Sequence, residues 1–274
     1  MRMTIYTKEE MMQLPLYQID AFTDRLFAGN PACVMPLEHW LPDEVLLKIA
    51  QENAVAETAF FIPEGDDFAL RWFTPEIEMD LCGHATLATA HVIHTILQHP
   101  GDVLRFHSRS GLLKVNVEGA RYVLEFPARP PVPVELPESI RLALDRMPVA
   151  VLQSRDYVLV YASEEDIREI QIDRQVLDRI NLDPGGVVIT APGSDCDFVS
   201  RFFTPQASIF EDPVTGSAHC SLIPYWSGQL GKKELLARQL SDRGGTLYCA
   251  DQGTIVKIGG EAMTYFTGTC RVNL

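Results

Sequence analysis

Arg71-Trp72-Phe73-Thr74-Pro75 and Arg201-Phe202-Phe203-Thr204-Pro205 are one short phrase written twice, once in each half of a 274-residue chain. Each copy runs on through an Asp to a small glycine turn and an apolar stretch: Asp80-Leu-Cys-Gly83-His84-Ala85 in the first, Asp212-Pro-Val-Thr-Gly216-Ser217-Ala218 in the second. A solenoid repeat would recur at far shorter period, so a single duplication predicts two similar halves. The natural place for a site is then between them.

Outward from these phrases, strands and helices alternate irregularly, which makes the chain α+β and not a regular βαβ array. Period-2 patterning or β-branched and aromatic enrichment predicts strands over 16–22, 57–63, 69–75, 103–107, 112–117 and 121–127. In the second half the same signals fall at 157–161, 187–191, 197–203, 246–249 and 254–258. The stretch 42–53 reads as an amphipathic helix opened by Pro42, with Leu46, Ile49 and Ala50 on one face. Residues 85–97 are apolar nearly all round, the mark of a helix enclosed by protein. A sheet wrapped round that helix accounts for both patterns. A matching buried helix starts near Ser217, where Pro224 must cost a backbone hydrogen bond. After Pro127, four more prolines up to Pro137 make an extended linker. The expected domains are therefore 15–128 and 129–264, with a C-terminal strand near 265–274 completing the first. Residues 1–14 read as a frayed extension.

The chain is 46% hydrophobic and 22% charged, ordinary for a globular protein with room for two cores. A net charge of −14 argues against nucleic acid or an anionic membrane surface, since phosphate binding draws on clustered Lys and Arg. Small metabolites are the expected partners. Cys33, Cys82, Cys196, Cys220, Cys249 and Cys270 form no CxxC pair, so neither a zinc knuckle nor a disulfide scaffold is indicated, and a reducing cytoplasm fits. Neither a signal peptide nor a membrane-spanning apolar run is expected.

In each repeat a strand ends at Thr-Pro, a loop passes an Asp, and Gly-His-Ala or Gly-Ser-Ala opens a helix. Helix N-termini carry unpaired N–H groups and about half a positive charge, so 83–86 and 216–219 are potential anion cradles. Two facing cradles would grip a carboxylate. The loop from Pro205 to Gly216 is longer than that from Pro75 to Gly83, so the halves have diverged at the site. His91 and His94, three apart on the central helix, lack a carboxylate or cysteine cluster and read as packing residues, not metal ligands. Tyr157, Tyr225 and Trp226 read equally as site lining or core.

Six phrases together resemble the PhzF family of phenazine-biosynthesis-like isomerases. They are Gln18-Ile-Asp20-Ala-Phe22, Gly29-Asn30-Pro31-Ala-Cys-Val34, Ala56-Glu57-Thr-Ala-Phe60, Phe73-Thr-Pro75, Asp80-Leu-Cys-Gly83-His84-Ala-Thr-Leu-Ala88 and Asp212-Pro-Val-Thr-Gly216-Ser217-Ala218-His219. The resemblance implies a diaminopimelate-epimerase-like fold: two pseudo-symmetric domains, each a mostly antiparallel sheet or barrel round a central helix. It implies an interdomain active site with no cofactor and no metal, and a homodimer. Carried over residue by residue, it makes Glu57 the acid/base group, with His84, Asp212 and Ser217 as its catalytic companions. Gly83, Gly216, Asp20 and Asn30 are expected to bind or line the substrate, a small carboxylate. A carboxyl partly desolvated in a cleft titrates nearer neutrality, so one group can take a carbon-bound proton and return it elsewhere. Asp212 beside His84 would set the imidazole tautomer, while Ser217 and the helix N–H groups hold carboxylate.

Each residue also has a plainer reading: Glu57 as a strand-edge carboxylate, His84 as a packing histidine, Asp212-Pro213 as a turn. In the epimerase relatives a cysteine precedes the glycine in both halves. Here Cys82 has Thr215 as its counterpart, and threonine is too weak an acid or base for a two-thiol racemase. The alternatives to an isomerase are an epimerase with opposed bases and a non-catalytic metabolite-binding protein.

Overall fold

Both copies of the repeated phrase end a strand and lead through a turn into a buried helix. The computed structural model describes residues 11–182 and 185–273. The first half comprises β1 (Met11–Ala21), β2 (Asn30–Pro36), α1 (Asp43–Asn53), β3 (Glu57–Glu64), β4 (Asp67–Phe73), β5 (Glu78–Met79), α2 (Gly83–His91), β6 (Val103–Ser108), β7 (Gly111–Glu118) and β8 (Arg121–Pro127). There follow β9 (Val132–Pro133), α3 (Glu138–Arg141), β10 (Ala150–Gln153), β11 (Tyr157–Val160), α4 (Glu164–Glu169), α5 (Arg174–Leu177), β12 (Val187–Pro192), β13 (Phe198–Phe203) and β14 (Glu211–Asp212). The chain closes with α6 (Gly216–Leu230), β15 (Glu234–Gln239), β16 (Gly245–Asp251), β17 (Ile255–Gly260) and β18 (Ala262–Asn273).

Strand pairing repeats with the sequence. In the first half the lateral order is β1-β2-β3-β4-β6-β7-β8, with parallel pairs only at β2–β3 and β4–β6. In the second it is β10-β11-β12-β13-β15-β16-β17, with parallel pairs only at β11–β12 and β13–β15. The halves join where β8 runs antiparallel to β17, and β18 adds to the outer edge of β1. This is the mostly antiparallel α+β architecture expected.

The repeated residues explain their own recurrence. Arg71 Nε donates to Glu78 Oε1 at 2.7 Å, and Arg201 Nε donates to Glu211 Oε1 at the same distance. Each guanidinium also stands 5.1 Å from the ring of the Phe two residues on, Phe73 or Phe203. The Thr then starts the same turn twice: Thr74 N–H donates to the Ile77 carbonyl and Thr204 N–H to that of Phe210. The phrase is a strand-end clamp, a planar fork on a carboxylate with an aromatic behind it.

Every residue of α2 from His84 to His91 is buried, as its all-round apolarity requires. One continuous cluster of buried side chains surrounds α2 and α6, drawing on both halves, from Ile19, Trp72 and Phe106 to Phe198, Leu222 and Trp226. A satellite cluster under α1 covers the outer face of the first half; α3, α4 and α5 supply another for the second.

Several expectations are corrected. Met11 to Leu14 are not frayed: they pair with Asn273 to Cys270 in the β1–β18 ladder, and the remainder of the expected extension, 1–10, lies outside the described residues. Pro42 precedes the helix as its N-cap. The central helix ends at His91 and runs on through a wider turn, Val92–Ile96, in which Leu97 N–H reaches the Val92 carbonyl. The proline-rich linker is extended yet tied down, through Ala128 N–H to Thr254 O, Val134 N–H to Val151 O and the β9–β10 pair. Pro224 does not interrupt α6. Proline cannot donate to the Cys220 carbonyl four residues back, and the Arg129 N–H of the linker donates there instead, at 2.9 Å.

Candidate active site between the central helices

The N-termini of α2 and α6 meet where the two halves join. Both lack a side-chain cap and an acidic residue in the first turn, with Cys82 and Thr215 at the N-cap positions. Gly83 and Gly216 open them, and a Cβ on either would touch only an aromatic rim at ordinary contact distance, Phe126 or Phe22. Their smallness leaves the helix ends open on the other side, as an anion cradle needs.

Asn30 is the hub. Its Nδ2 donates to Asp212 Oδ1 at 2.8 Å and to the Val214 carbonyl at 3.0 Å, and lies 3.4 Å from His84 Nδ1. A residue of the first half thereby ties down the approach to α6 in the second. Its placement depends on Gly29, whose φ of +66° would bring a Cβ to 2.1 Å from the Ala21 carbonyl oxygen. The same loop is clamped by Asp20, which accepts from the Phe27 N–H and from Arg243. Arg243 donates as well to the carbonyls of Ala28 and Gly29. Burial pushes the Asp20 carboxyl above the usual aspartate range, with the Phe27 N–H and Arg243 pulling against it. Asp20 is thus wholly engaged in shaping the loop that carries Asn30.

His84 sits 3.1 Å from Glu57, Nε2 to Oε2. Its other nitrogen, Nδ1, lies 3.5 Å from Cys82 Sγ. Nδ1 thus faces the Cys82 sulfur and Nε2 faces Glu57, so a proton on Nε2 points toward the carboxylate. Burial alone would lower the His84 pKa, but the neighbouring Cys82 and Glu57 charges outweigh it and hold the imidazole well above its ordinary value. Burial and the Glu57 charge raise the Cys82 thiol, and His84 pulls it down. Glu57 Oε2, His84 Nε2 and Asn30 Oδ1 are buried without a hydrogen-bond partner, because the 3.1 Å approach is not aligned as a hydrogen bond. Such atoms are costly to leave unmatched and define where a polar ligand would be held.

Asp212 does not touch His84, contrary to the sequence expectation: Asn30 stands between them. The aspartate accepts from Asn30 and from the Thr215 hydroxyl. Burial drives its pKa up to about 6, with His84 pulling it down and Glu57 pushing it up. Gln239 braces this segment, accepting from Thr215 N–H and donating to the Asp212 carbonyl. Sequence reading missed Gln239 because it sits at the end of a strand with no local signature. Ser217 occupies the place of His84 in the second repeat, and its Oγ accepts from Arg155 Nη2 at 3.0 Å. Arg155 was missed too, since an Arg in a strand-to-strand turn reads as a solvated charge.

Glu57, Cys82 and His84 offer ligand atoms within 4.8 Å of one another, a donor set that zinc accepts. The thiol and the carboxylate approach different nitrogens of the ring, at 3.5 and 3.1 Å. His91 bonds Tyr122 and Thr264, and Trp226 donates to Thr190 while stacking on Phe198, so both belong to packing. An apolar cavity of about 620 Å³, lined among others by Leu14, Leu37, Phe61 and Ile93, includes none of the residues of this site.

The fold is a two-fold repeated α+β architecture, and curated relatives of this chain are named isomerases. The model of the phenazine biosynthesis-like protein family (PhzC-PhzF) matches residues 19–268. A Pseudomonas aeruginosa protein described as an uncharacterized isomerase is 49% identical, covering 96% of this chain and 100% of the relative. An uncharacterized isomerase of Halalkalibacterium halodurans is 40% identical over 93% of this chain and 97% of its own length. A crystal structure of a PhzF-family protein from Enterococcus faecalis is 44% identical, with a TM-score of 0.91 over 95% of this chain and 100% of that one. The chain belongs to the PhzF-like family.

Proposed function

We propose that Glu57 moves a proton between two carbons of a small carboxylate substrate. The observation that carries this reading is the pair of buried, unmatched atoms 3.1 Å apart, Glu57 Oε2 and His84 Nε2, at the meeting of two open helix N-termini. Glu57 takes a carbon-bound proton as general base, and the electron pair left behind delocalises toward the substrate's carbonyl. His84, with its proton on Nε2, stabilises the oxygen on which charge builds, aided by the helix N–H groups. Glu57 then returns the proton at a second carbon, so one carboxyl acts in both steps. Asp212, titrating near 6, supplies a second protonation state at the rim. The counterpart of Cys82 is Thr215, whose hydroxyl donates to Asp212. This disfavours an epimerase with opposed thiols.

The test is mass-spectrometric detection of deuterium entering small amino and hydroxy acids from heavy water. Glu57→Gln should lower exchange by about 10²–10⁴-fold with an unchanged melting temperature. Exchange retained in that variant overturns the proposal.

A further inference from the structure

We propose that Arg129 and Arg155 form a subsite for a second acidic group of the substrate, so that the substrate is a dicarboxylate. This rests on reading the cleft as the acid/base site proposed above. Ser217, Cys220 and Ser221 lie on one face of α6, three and four positions apart. The turn before β11 covers this face from one side, with Arg155 Nη2 on Ser217 Oγ and Ser154 Oγ at 2.6 Å from Ser221 Oγ. The linker covers it from the other, where the Arg129 N–H takes the Cys220 carbonyl that Pro224 cannot use. Burial pushes the Cys220 thiol up to about 11, and the charges of both arginines pull it down.

Two cations converging on one helix face need an anion. Asp156 supplies part of it, binding Arg155 through Nε and Nη2 and leaving Nη1 without a hydrogen bond among the described residues. Nothing supplies the rest. Among the described residues Arg129 is the one Lys or Arg that is neither exposed nor ion-paired, in a chain of net charge −14 where acceptors abound. Desolvating a guanidinium without a counter-charge is unfavourable, and a planar fork of donors matches a carboxylate. Ser217, next to Arg155, is the second repeat's equivalent of His84. Arg155 thus stands at the start of α6 and Glu57 at the start of α2, so a substrate spanning the two helix ends would place its far end at the arginines.

Isothermal titration with succinate and glutarate, with acetate as control, tests this. Wild type should bind the dicarboxylates at least about tenfold more tightly than acetate, one charge-assisted bidentate contact being of that size. Arg129→Gln should erase the difference, Arg129→Lys restore part of it, and Glu57→Gln leave it intact. A wild-type ratio near one, or a ratio unchanged in folded Arg129→Gln, overturns the subsite. Should Arg129→Gln melt early, the wild-type ratio decides alone. A dicarboxylate that binds without exchanging deuterium breaks the proposed function and keeps the subsite; exchange confined to monocarboxylates breaks the subsite and keeps the function.

Discussion

The ends of α2 and α6 are built on the same plan and furnished differently. In the first half, β3 opens with Glu57; the ladders set Thr58 opposite Phe73, and in the second half Val187 opposite Phe203. Superposing those registers puts Gly186 where Glu57 stands. His84 is matched by Ser217, Cys82 by Thr215, and Thr86, whose hydroxyl bonds the Cys82 carbonyl, by His219, whose Nδ1 bonds the Thr215 carbonyl. Backbone-serving roles survive the divergence even when the residue type changes. The carboxylate–imidazole pair stands on one side only, and on the other Arg155 reaches Ser217.

That comparison can be broken at several points. The steepest loss of stability is expected for Gly186→Ala, because a Cβ there falls 2.5 Å from Phe202 Cζ and 2.7 Å from the Phe203 carbonyl oxygen. Overpacking of this kind costs about 1–3 kcal/mol; a melting curve unmoved by it would show that the second half can accept a side chain where Glu57 sits. The paired clamps come next. Arg71→Ala leaves Glu78 a second partner in Arg109, whereas Arg201→Ala leaves Glu211 no other ion pair among the described residues and also frees the Ile167 and Ile170 carbonyls. Arg201→Ala should therefore be the more damaging by about 1 kcal/mol, read from urea denaturation.

The two buried histidines give a pH signature. Burial depresses both His91 and His219 to about 4, while in the unfolded chain they titrate near the ordinary value. Between those limits the unfolded state binds more protons, so stability is lost as pH falls from about 6.5 toward 4. Asp212, raised to about 6, works in the opposite sense over the same range and blunts the loss, while the raised His84 acts only above about 6.5. His219→Gln should flatten the acid limb of melting temperature against pH, and an unchanged limb would remove His219 from the account. The smallest effect belongs to Pro224→Ala. The restored N–H competes with Arg129 for the Cys220 carbonyl, so amide exchange at Arg129 should quicken while stability moves by no more than about 1 kcal/mol.

Much of the scaffold was legible because its signals are local. Arg121 to Pro127 alternates and is a strand to the residue, and the all-round apolarity of 85–91 marks burial directly. What escaped depends on partners distant in sequence. Asn30 is expected from the resemblance to line the substrate, but nothing local marks it as the buried hub that Asp212 and Val214 satisfy across the molecule. The Asp80 and Asp212 of the two phrases look equivalent, yet the strand register matches Asp212 with Met79, and Asp80 is exposed. The two aspartates stand one register position apart, and the carboxylate enters the cleft on one side only. Half-exposed β18, rich in Thr and Gly, offered little pattern beyond its place near the end.

The β1–β18 ladder carries a consequence for how the molecule is made. Asp20 and the loop bearing Asn30 follow directly from β1, whose outer neighbour is supplied only after the entire second half has been synthesised. The early strands must wait, edge open, for a partner more than two hundred residues downstream, a closure that is slow because its entropy cost precedes its reward. During that interval Glu57 and His84 already stand near one another in sequence, but Asn30 lacks Asp212. The Asn30–Asp212 contact between the halves is therefore made only as the chain closes on itself.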